Sequence, residues 1–272
     1  MNHSNNFLYH SPCDNCGSRD NKAVYDDGHT YCFGCQQYKK ENGELPKKEK
    51  IVTDMIDGIT EALPSRKIDE ETCKKFNYQT GTYKGEPVHI ANFYDKEHNR
   101  VAQKLRYQDK RFTWLGDADK ITLFGQNIWR DGGKMIVITE GEIDALTVSK
   151  VQNNKYPVVS VPSGATSAKK YIKKELDWLS KFENIVLMFD NDEAGKKASI
   201  ECANILPVKK VKIATLPAKD PSELLQKGKG EQIVSCMWEA KAYTPQGIIS
   251  GNETKDLLLK DDLVESIPYQ WT

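Results

Sequence analysis

Between Met135 and Thr215 short apolar, β-branched runs alternate with longer helix-like stretches, and this rhythm constrains the fold more than any other feature of the chain. Strands are predicted over Met135–Thr139, Pro157–Val161, Ile185–Phe189 and Val211–Thr215. Helices are predicted between them over Ile143–Val151, Ala168–Leu179 and Ala194–Leu206. A strand that is apolar throughout must be covered on both faces, and a strand-helix-strand repeat does this as a parallel sheet between helices. The expected core is therefore α/β.

In open sheets of this kind the ligand sits beyond the carboxyl ends of the strands, where the loops diverge. Acidic residues collect there. Glu140 follows the run KMIVIT, with Glu142 and Asp144 beyond Gly141 where a helix begins; Asp190 ends IVLMF, with Asp192 two residues on; Asp220 follows VKIATL through Pro217 and Lys219. Carboxylates gathered at one edge repel one another unless a cation joins them. A donor set without His or Cys suits Mg(II) or Mn(II), which keep waters and take substrate phosphates as further ligands. Metal-dependent phosphoryl transfer is the chemistry this pattern favours. A second reading stands beside it, because Glu142, Asp144, Asp192 and Glu193 are also ordinary capping and dipole residues at helix starts. It covers Glu140 and Asp190 less well, since each terminates an apolar strand. Ser163-Gly164-Ala165 with Lys169 and Lys170 is no phosphate loop: G-x4-G-K-[ST] is absent, so no helicase-type nucleotide-hydrolysing motor is expected.

Near the start, Cys13 and Cys16 form one C-x2-C pair and Cys32 and Cys35 another, fifteen residues later. Two intervening residues let a tight turn aim two thiolates at one ion, and two such knuckles complete the tetrahedron of one structural Zn(II) with no open position. Residues 1–40 are thus expected to form a small all-β zinc ribbon, with strands over Lys22–Tyr25 and His29–Cys32 about the turn Asp27-Gly28. A segment of about 40 residues cannot build a sufficient core, so the metal would supply most of its stability. The spacing leaves open whether the module only holds its own shape or also presents a binding surface. Thioredoxin-like redox chemistry fits less well, because no strand-helix context follows either pair. Cys73, Cys202 and Cys236 have no partner at ligand spacing and read as ordinary thiols.

The charged stretch KKENGELPKKEK, residues 39–50, reads as a solvated tether. The expected layout is a linker over 41–55, an α+β subdomain over 56–130, the parallel-sheet domain over 131–245 and a tail over 246–272. Ile56–Tyr78 is predicted mostly helical, with a cap at Asp69. Val88–Phe93 and Val101–Arg106 read as a hairpin about DKEHN. Lys104, Arg106, Lys110 and Arg111 interleave there with Tyr107, Phe112 and Trp114, which suits phosphate contact plus base stacking; a solvated hairpin rim has the same composition. Lys plus Arg and Asp plus Glu balance at 39 each, so only local segregation can make a nucleic-acid surface. No run approaches the roughly 18 to 20 apolar residues of a membrane helix, and the start lacks a secretory pattern. A cytoplasmic protein without membrane contact is expected.

Taken together these motifs resemble a known family. EGEIDAL at 140–146, MFDNDEAG at 188–195 and LPAKD at 216–220 are similar to the three acidic motifs of the Toprim fold. With FLYHSPCDNCGS at 7–18 and DGHTYCFGC at 27–35, residues 7 to about 245 resemble the primase half of the bifunctional primase-helicases of short-tailed phages. The resemblance implies a DNA primase, a DNA-directed RNA polymerase making short primers in the host cytoplasm. It implies Glu140, Glu142 and Asp144 in chemistry, and Glu140, Asp190, Asp192 and Asp220 as ligands of one or two catalytic Mg(II) or Mn(II). It also implies that Lys104, Arg106 and Lys110 line the path of template and nucleotide, and that His29 contacts the template. The implied ligands are single-stranded DNA and ribonucleoside triphosphates; the implied partners are a replicative helicase, in cis or in trans, and a DNA polymerase. The tail, with KDLLLKDDLVESI, resembles the connector that docks on a neighbouring helicase subunit. Two other readings share these features: a Toprim nuclease using water in place of a 3′-hydroxyl, and a non-catalytic single-strand-binding or helicase adaptor. A topoisomerase would need a tyrosine domain larger than this chain can hold.

Overall fold

Four short antiparallel strands make the first of two units into which the chain divides, residues 1–51 and 52–272; the computed structural model describes residues 7–25, 27–39 and 54–245. The strands β1 (Phe7–Ser11), β2 (Lys22–Tyr25), β3 (Thr30–Cys32) and β4 (Tyr38–Lys39) form a meander in chain order. The inner pair is the predicted hairpin. β1 escaped prediction because it is exposed along almost its whole length and so shows no alternation. The predicted tether and tail lie outside the described residues, apart from Lys39 at the end of β4 and residues 54 and 55.

In the second unit the helix expected over Ile56–Tyr78 is confined to α1 (Glu70–Phe76). Upstream the chain is irregular, with one 3-10 turn at Pro64–Arg66. Ile59 exchanges both backbone hydrogen bonds with Thr80, at 2.8 and 2.9 Å, and so cannot join a helix. Pro64 brings no amide donor to an i−4 ladder. The cap was legible: Asp69 accepts from the Thr72 amide at 2.8 Å.

Next come β5 (Tyr78–Tyr83), β6 (Glu86–Tyr94), β7 (Arg100–Tyr107) and β8 (Phe112–Gly116), an antiparallel meander. β6 and β7 are the predicted hairpin, and the two flanking strands complete an α+β layer.

The parallel sheet follows as predicted. Its strands are β9 (Gly133–Thr139), β10 (Val158–Ser160), β11 (Phe182–Met188) and β12 (Val211–Ile213), ordered β10-β9-β11-β12 and all parallel. A two-residue strand β13 (Lys241–Ala242) adds antiparallel to β12. α2 (Glu142–Val151), α6 (Pro221–Gln226) and α7 (Gly230–Trp238) share a core with Val137, Val186 and Met188. α3 (Ala165–Lys174), α4 (Leu176–Leu179) and α5 (Glu193–Ala203) cover Ile136, Ile138, Ile185 and Leu187 on the other face. Period-two alternation within β9 and β11 thus feeds two cores. The first core also takes in Phe76, Phe93 and Phe124, which fastens the antiparallel sheet to the parallel one. The single helix expected over Ala168–Leu179 is broken at Glu175, whose buried carboxylate accepts from the Gln126 side chain at 3.0 Å. No helix of the described residues is long and apolar enough to cross a membrane.

Candidate catalytic cleft and metal centre

The four predicted thiolate ligands converge in the first unit. All their sulfur atoms lie within 4.8 Å of one another, with Cys13 3.7 Å from Cys35 and Cys16 3.6 Å from Cys32. Thiolates about 2.3 Å from one tetrahedral Zn(II) stand about 3.8 Å apart, so the donor set fits that ion. Gly17, at φ +69°, donates to the Cys13 carbonyl at 2.9 Å and tightens the first knuckle. The amides of Cys16 and Asn15 hold the Cys13 thiol below its ordinary value, and the Asn15 side chain and the Gln37 amide bring Cys35 to about 6. At about 6, Cys35 is mostly thiolate at neutral pH, the form that binds metal.

His29 is buried, stacked between Tyr25 and Tyr38 at ring-centroid distances of 4.1 and 5.1 Å, with Nδ1 paired to the Asp27 carboxylate. The open aromatic rings of the unit are instead Phe7, Tyr9 and Phe33, each half exposed or more, with Phe7 and Phe33 both beside the His10 ring. The pattern FLYHS at the start of the ribbon was their only sequence signal.

In the second unit, the connection from β9 leads to β10 on one side while that from β11 leads to β12 on the other. Adjacent parallel strands whose connections diverge leave a crevice at their carboxyl ends. Glu140 and Asp190 follow these two strands. Glu140 accepts the Ala165 amide at the start of α3 at 3.2 Å through one oxygen and the Asp190 amide at 3.4 Å through the other. Asp144, on α2, accepts the Ser222 amide at 3.2 Å and lies over Gly141, where an added Cβ would stand 3.0 Å from its Oδ2. Burial, with the charges of Asp220 and Asp190, pushes the Asp144 carboxyl well above its ordinary value. Burial, with Glu140 and Asp220 and against Lys219, brings Asp190 to about 7. Carboxyls that raise one another in this way mark a site short of positive charge, which a hard divalent cation supplies.

The predicted acids do not all act alike. Asp192 is exposed and caps α5, accepting the Gly195 amide at 2.9 Å; Asp220 caps α6, accepting the Glu223 amide at 2.7 Å, yet also lines the cleft. The capping reading thus describes Asp192, and Asp220, which it did not name, also caps a helix. Glu142 and Asp144 stand in the first turn of α2, as the dipole reading has them, but neither caps it, because the cap is Gly141 without a side-chain bond. Glu142 is buried and turned to Lys104 instead.

The opposite wall is basic and aromatic. In register, Lys104 on β7 pairs with Trp114 on β8 and Arg106 with Phe112, which puts all four on one face. Lys104 Nζ donates to Glu142 at 2.9 Å and to the Pro162 carbonyl at 2.7 Å, and sits 4.4 Å over the Phe112 ring. Lys110, at φ +70°, stands at the β7–β8 turn. The cleft between the walls holds about 480 Å³, and Glu140, Glu142, Asp144, Asp190 and Asp220 share its lining with Lys104, Arg106 and Lys110. Asp192 is outside it. Arg66 and Ser222 also line it, and sequence reasoning missed both. Arg66 was hidden in the segment read as helix, and Ser222 gains meaning only through its amide bond to Asp144.

Similarity to known proteins follows the same division. The family model described as bacteriophage T7 DNA helicase/primase, N-terminal α+β fold, matches residues 58–116, and a Toprim-like model matches residues 137–225. A DNA helicase/primase of enterobacteria phage T3 is 39% identical over 267 residues, covering 92% of this chain and 47% of its own length. The chain therefore spans about half of that relative. The crystal structure of the primase fragment of the bacteriophage T7 primase-helicase protein superposes with TM-score 0.66 at 41% identity, covering 86% of this chain and 100% of that fragment. A bacteriophage T7 chain matches with TM-score 0.65 at 44% identity over 68% of this chain and 94% of its own. Its structure is of lagging-strand DNA polymerase interacting with primase domains bound to an RNA/DNA hybrid and dTTP.

Proposed function

We propose that this chain, which belongs to the phage DNA helicase/primase family, is a primase: a nucleotidyltransferase that joins ribonucleotides into short primers on single-stranded DNA. The observation that carries the reading is the two-walled cleft, with Glu140 and Asp190 at the strand switch facing Lys104, Arg106 and Lys110. The 3′-hydroxyl of one nucleotide attacks the α-phosphate of a second, and pyrophosphate leaves. One or two Mg(II) or Mn(II), held by Glu140, Asp190 and Asp220, would supply the charge that stabilises the attacking and departing oxygens. Asp192, on the adjoining helix cap, is next in line as a ligand, and Glu142 and Asp144 support the acidic wall. The basic wall binds triphosphate and template phosphates, and Phe112 and Trp114 offer stacking faces.

The four-cysteine centre holds Zn(II) and shapes a module that reads unstacked template bases on its aromatic face, with His29 beside it. A replicative helicase and a DNA polymerase are the expected partners, in the host cytoplasm, since the T3 relative is a helicase/primase and the T7 primase domains interact with a polymerase. The functional division is a zinc ribbon over 1–40, a linker over 41–55, a polymerase subdomain over 56–130, a catalytic Toprim subdomain over 131–245 and a connector over 246–272.

The test is incubation of the chain with random-sequence single-stranded DNA, labelled ribonucleotides and Mg(II), resolving products by size. Short template-dependent oligoribonucleotides that vanish on chelation and in Asp190→Asn establish the activity. Shortening of the DNA in place of synthesis would establish a nuclease and reject the primase reading.

A further inference from the structure

At the amino ends of β9 and β11, about 20 Å along the strands from the acids, lies a second cavity of about 260 Å³. The β6–β7 turn forms one side of it through Lys96 and His98, and the break between α3 and α4 forms the other through Glu175, Asp177 and Trp178. Trp129, on the approach to β9, adds a second indole to the lining. The volume is several times the roughly 30 Å³ that one water takes in the liquid, so one or two waters do not fill it.

Glu175 is the group in this cavity without an ordinary structural account. It is only 2% exposed. Oε2 accepts from the Gln126 side chain at 3.0 Å, but Oε1 is buried with no hydrogen-bond partner among the described residues. A buried carboxylate oxygen left unpaired is costly, and protein interiors seldom leave one. The lysines that line the cavity do not answer it. Lys174 donates to the carbonyls of Asp119 and Ile121 at 3.0 and 2.6 Å, and Lys181 is paired with Asp131. Lys96 stops 3.9 Å from Oε2 with 60% of its side chain in solvent. The demand is thus for N–H donors that carry positive charge, and Asp177, half-buried two residues on, adds to it.

The chemistry of the donor can be narrowed. A divalent cation needs several ligand atoms around one point, and among the described residues only the four cysteines come that close together. An ammonium is strongly hydrated, and the nearest one, on Lys96, stays in solvent without closing on Glu175. A guanidinium is weakly hydrated, planar and rich in donors, and it packs against indole rings. The last torsion of a glutamate side chain is broad, so a turn of the carboxylate presents Oε1 to such a group.

We propose that this cavity binds a guanidinium group, with Glu175 accepting from it, Asp177 balancing its charge and Trp129 and Trp178 lying against it. The group belongs either to an arginine side chain of another protein or to a small guanidinium compound. The site lies apart from the cleft and does not depend on the reaction proposed there.

Isotope labelling of tryptophan in the full 272-residue chain lets the indole N–H resonances of Trp129 and Trp178 report binding. The probes are N-acetyl-arginine amide, free arginine and N-acetyl-lysine amide. The capped arginine should shift both resonances saturably and bind at least about tenfold more tightly than the capped lysine. Glu175→Gln, which keeps the side-chain size and an acceptor for Gln126, should weaken that binding at least about tenfold. It should leave Tm unchanged or higher, since it removes a buried unpaired charge. Asp177→Asn, at a half-buried side chain, should weaken binding about threefold and carries the test if the first variant does not fold. Tighter binding of capped than of free arginine assigns the site to a side chain of another protein, and the reverse assigns it to a small molecule. No saturable shift, equal binding of the arginine and lysine compounds, or native affinity in both variants overturns the proposal, because Lys96 or water would then satisfy Glu175.

Discussion

Replacing Gly195 by alanine tests how tightly the acidic wall is set. Gly195 lies in the first turn of α5, where an added Cβ would stand 2.1 Å from the Asp190 carbonyl oxygen, 3.0 Å from its carbonyl carbon and 3.1 Å from its amide nitrogen. Non-bonded heavy atoms settle about 3.5 Å apart, so the substitution must open about 1.4 Å between α5 and the end of β11. Neither side can yield by rotating a side chain, because the clash is between a Cβ and main chain. Overpacking of this kind costs about 1 to 3 kcal/mol, a loss of roughly 2 to 10 °C in Tm for a unit of this size. The cost in activity should be larger. Asp190 also donates its amide to Glu140, and Asp192 caps through the Gly195 amide, so the shift moves three acids together. Misplacing reacting groups by about 1 Å costs about 100-fold in rate. The assay pairs thermal unfolding with Mg(II)-dependent oligoribonucleotide synthesis below the Tm of both proteins. Glu193→Ala, on the same turn but exposed, should leave both readouts unchanged. A G195A chain with native Tm and native rate would show that the close approach of α5 does not position Asp190.

Lys104→Met should cost about 3 to 5 kcal/mol in denaturant unfolding by stranding the buried Glu142 carboxylate, and Lys104→Met/Glu142→Gln should recover part of that loss. Single effects that are small and additive would mean the pair is not coupled. In Mg(II)-free buffer the folded chain keeps a proton on Asp190 up to about pH 7, while the unfolded chain releases it near its ordinary 3.8. This group's contribution to stability therefore falls as pH rises between those values. Asp190→Asn should flatten that fall and leave the metal-free protein more stable at pH 8; a steeper fall contradicts the assignment. Removing the thiolate-bound metal with a chelator should unfold residues 7–39 in hydrogen exchange, because the buried residues described there are only Cys13, Ala23, His29 and Cys32. Retained protection after demonstrated metal loss would refute this. Calorimetry should find Mg(II) binding at least about tenfold tighter in the presence of a non-hydrolysable ribonucleoside triphosphate analogue, after correction for Mg(II) binding to the nucleotide itself. Independent binding would refute the coupling.

The parallel sheet was legible because its strands are buried on both faces and their composition departs from the intervening helices. β5 was not: YQTGTY is half polar with a central glycine, and its strand character comes from pairing with β6. The segment before α1 misled for the opposite reason, since a few apolar residues at loose helical spacing were claimed instead by a backbone bridge to β5. Among the residues that line the cleft, Glu140 and Asp190 stood out because ending a buried strand in a carboxylate has no ordinary structural use. Asp192 and Glu142 could not be told apart by sequence. One caps a helix and the other finds a lysine 38 positions away, and only tertiary structure separates them. The four cysteines were fully legible because ligand spacing is a local property.

The chemistry proposed for this cleft depends on two sheets built by different rules. The acids arrive on loops after parallel strands, and the bases arrive on one face of an antiparallel meander, where register alone aligns Lys104, Arg106, Phe112 and Trp114. The two walls are balanced differently: the carboxyls of Asp144 and Asp190 are raised by burial and by their neighbours, whereas Lys104 is already held by Glu142. A cation alone would relieve the acids and bring no anion to Arg106 and Lys110. A triphosphate alone would answer the basic wall while bringing more negative charge against Glu140 and Asp190. Only a metal and a nucleotide together neutralise both sides, so the electrostatics that strain the free cleft also favour their joint binding. In the proposed reaction the basic wall would take the phosphates and the acids at the strand ends would hold the metal, which would present an α-phosphate for attack.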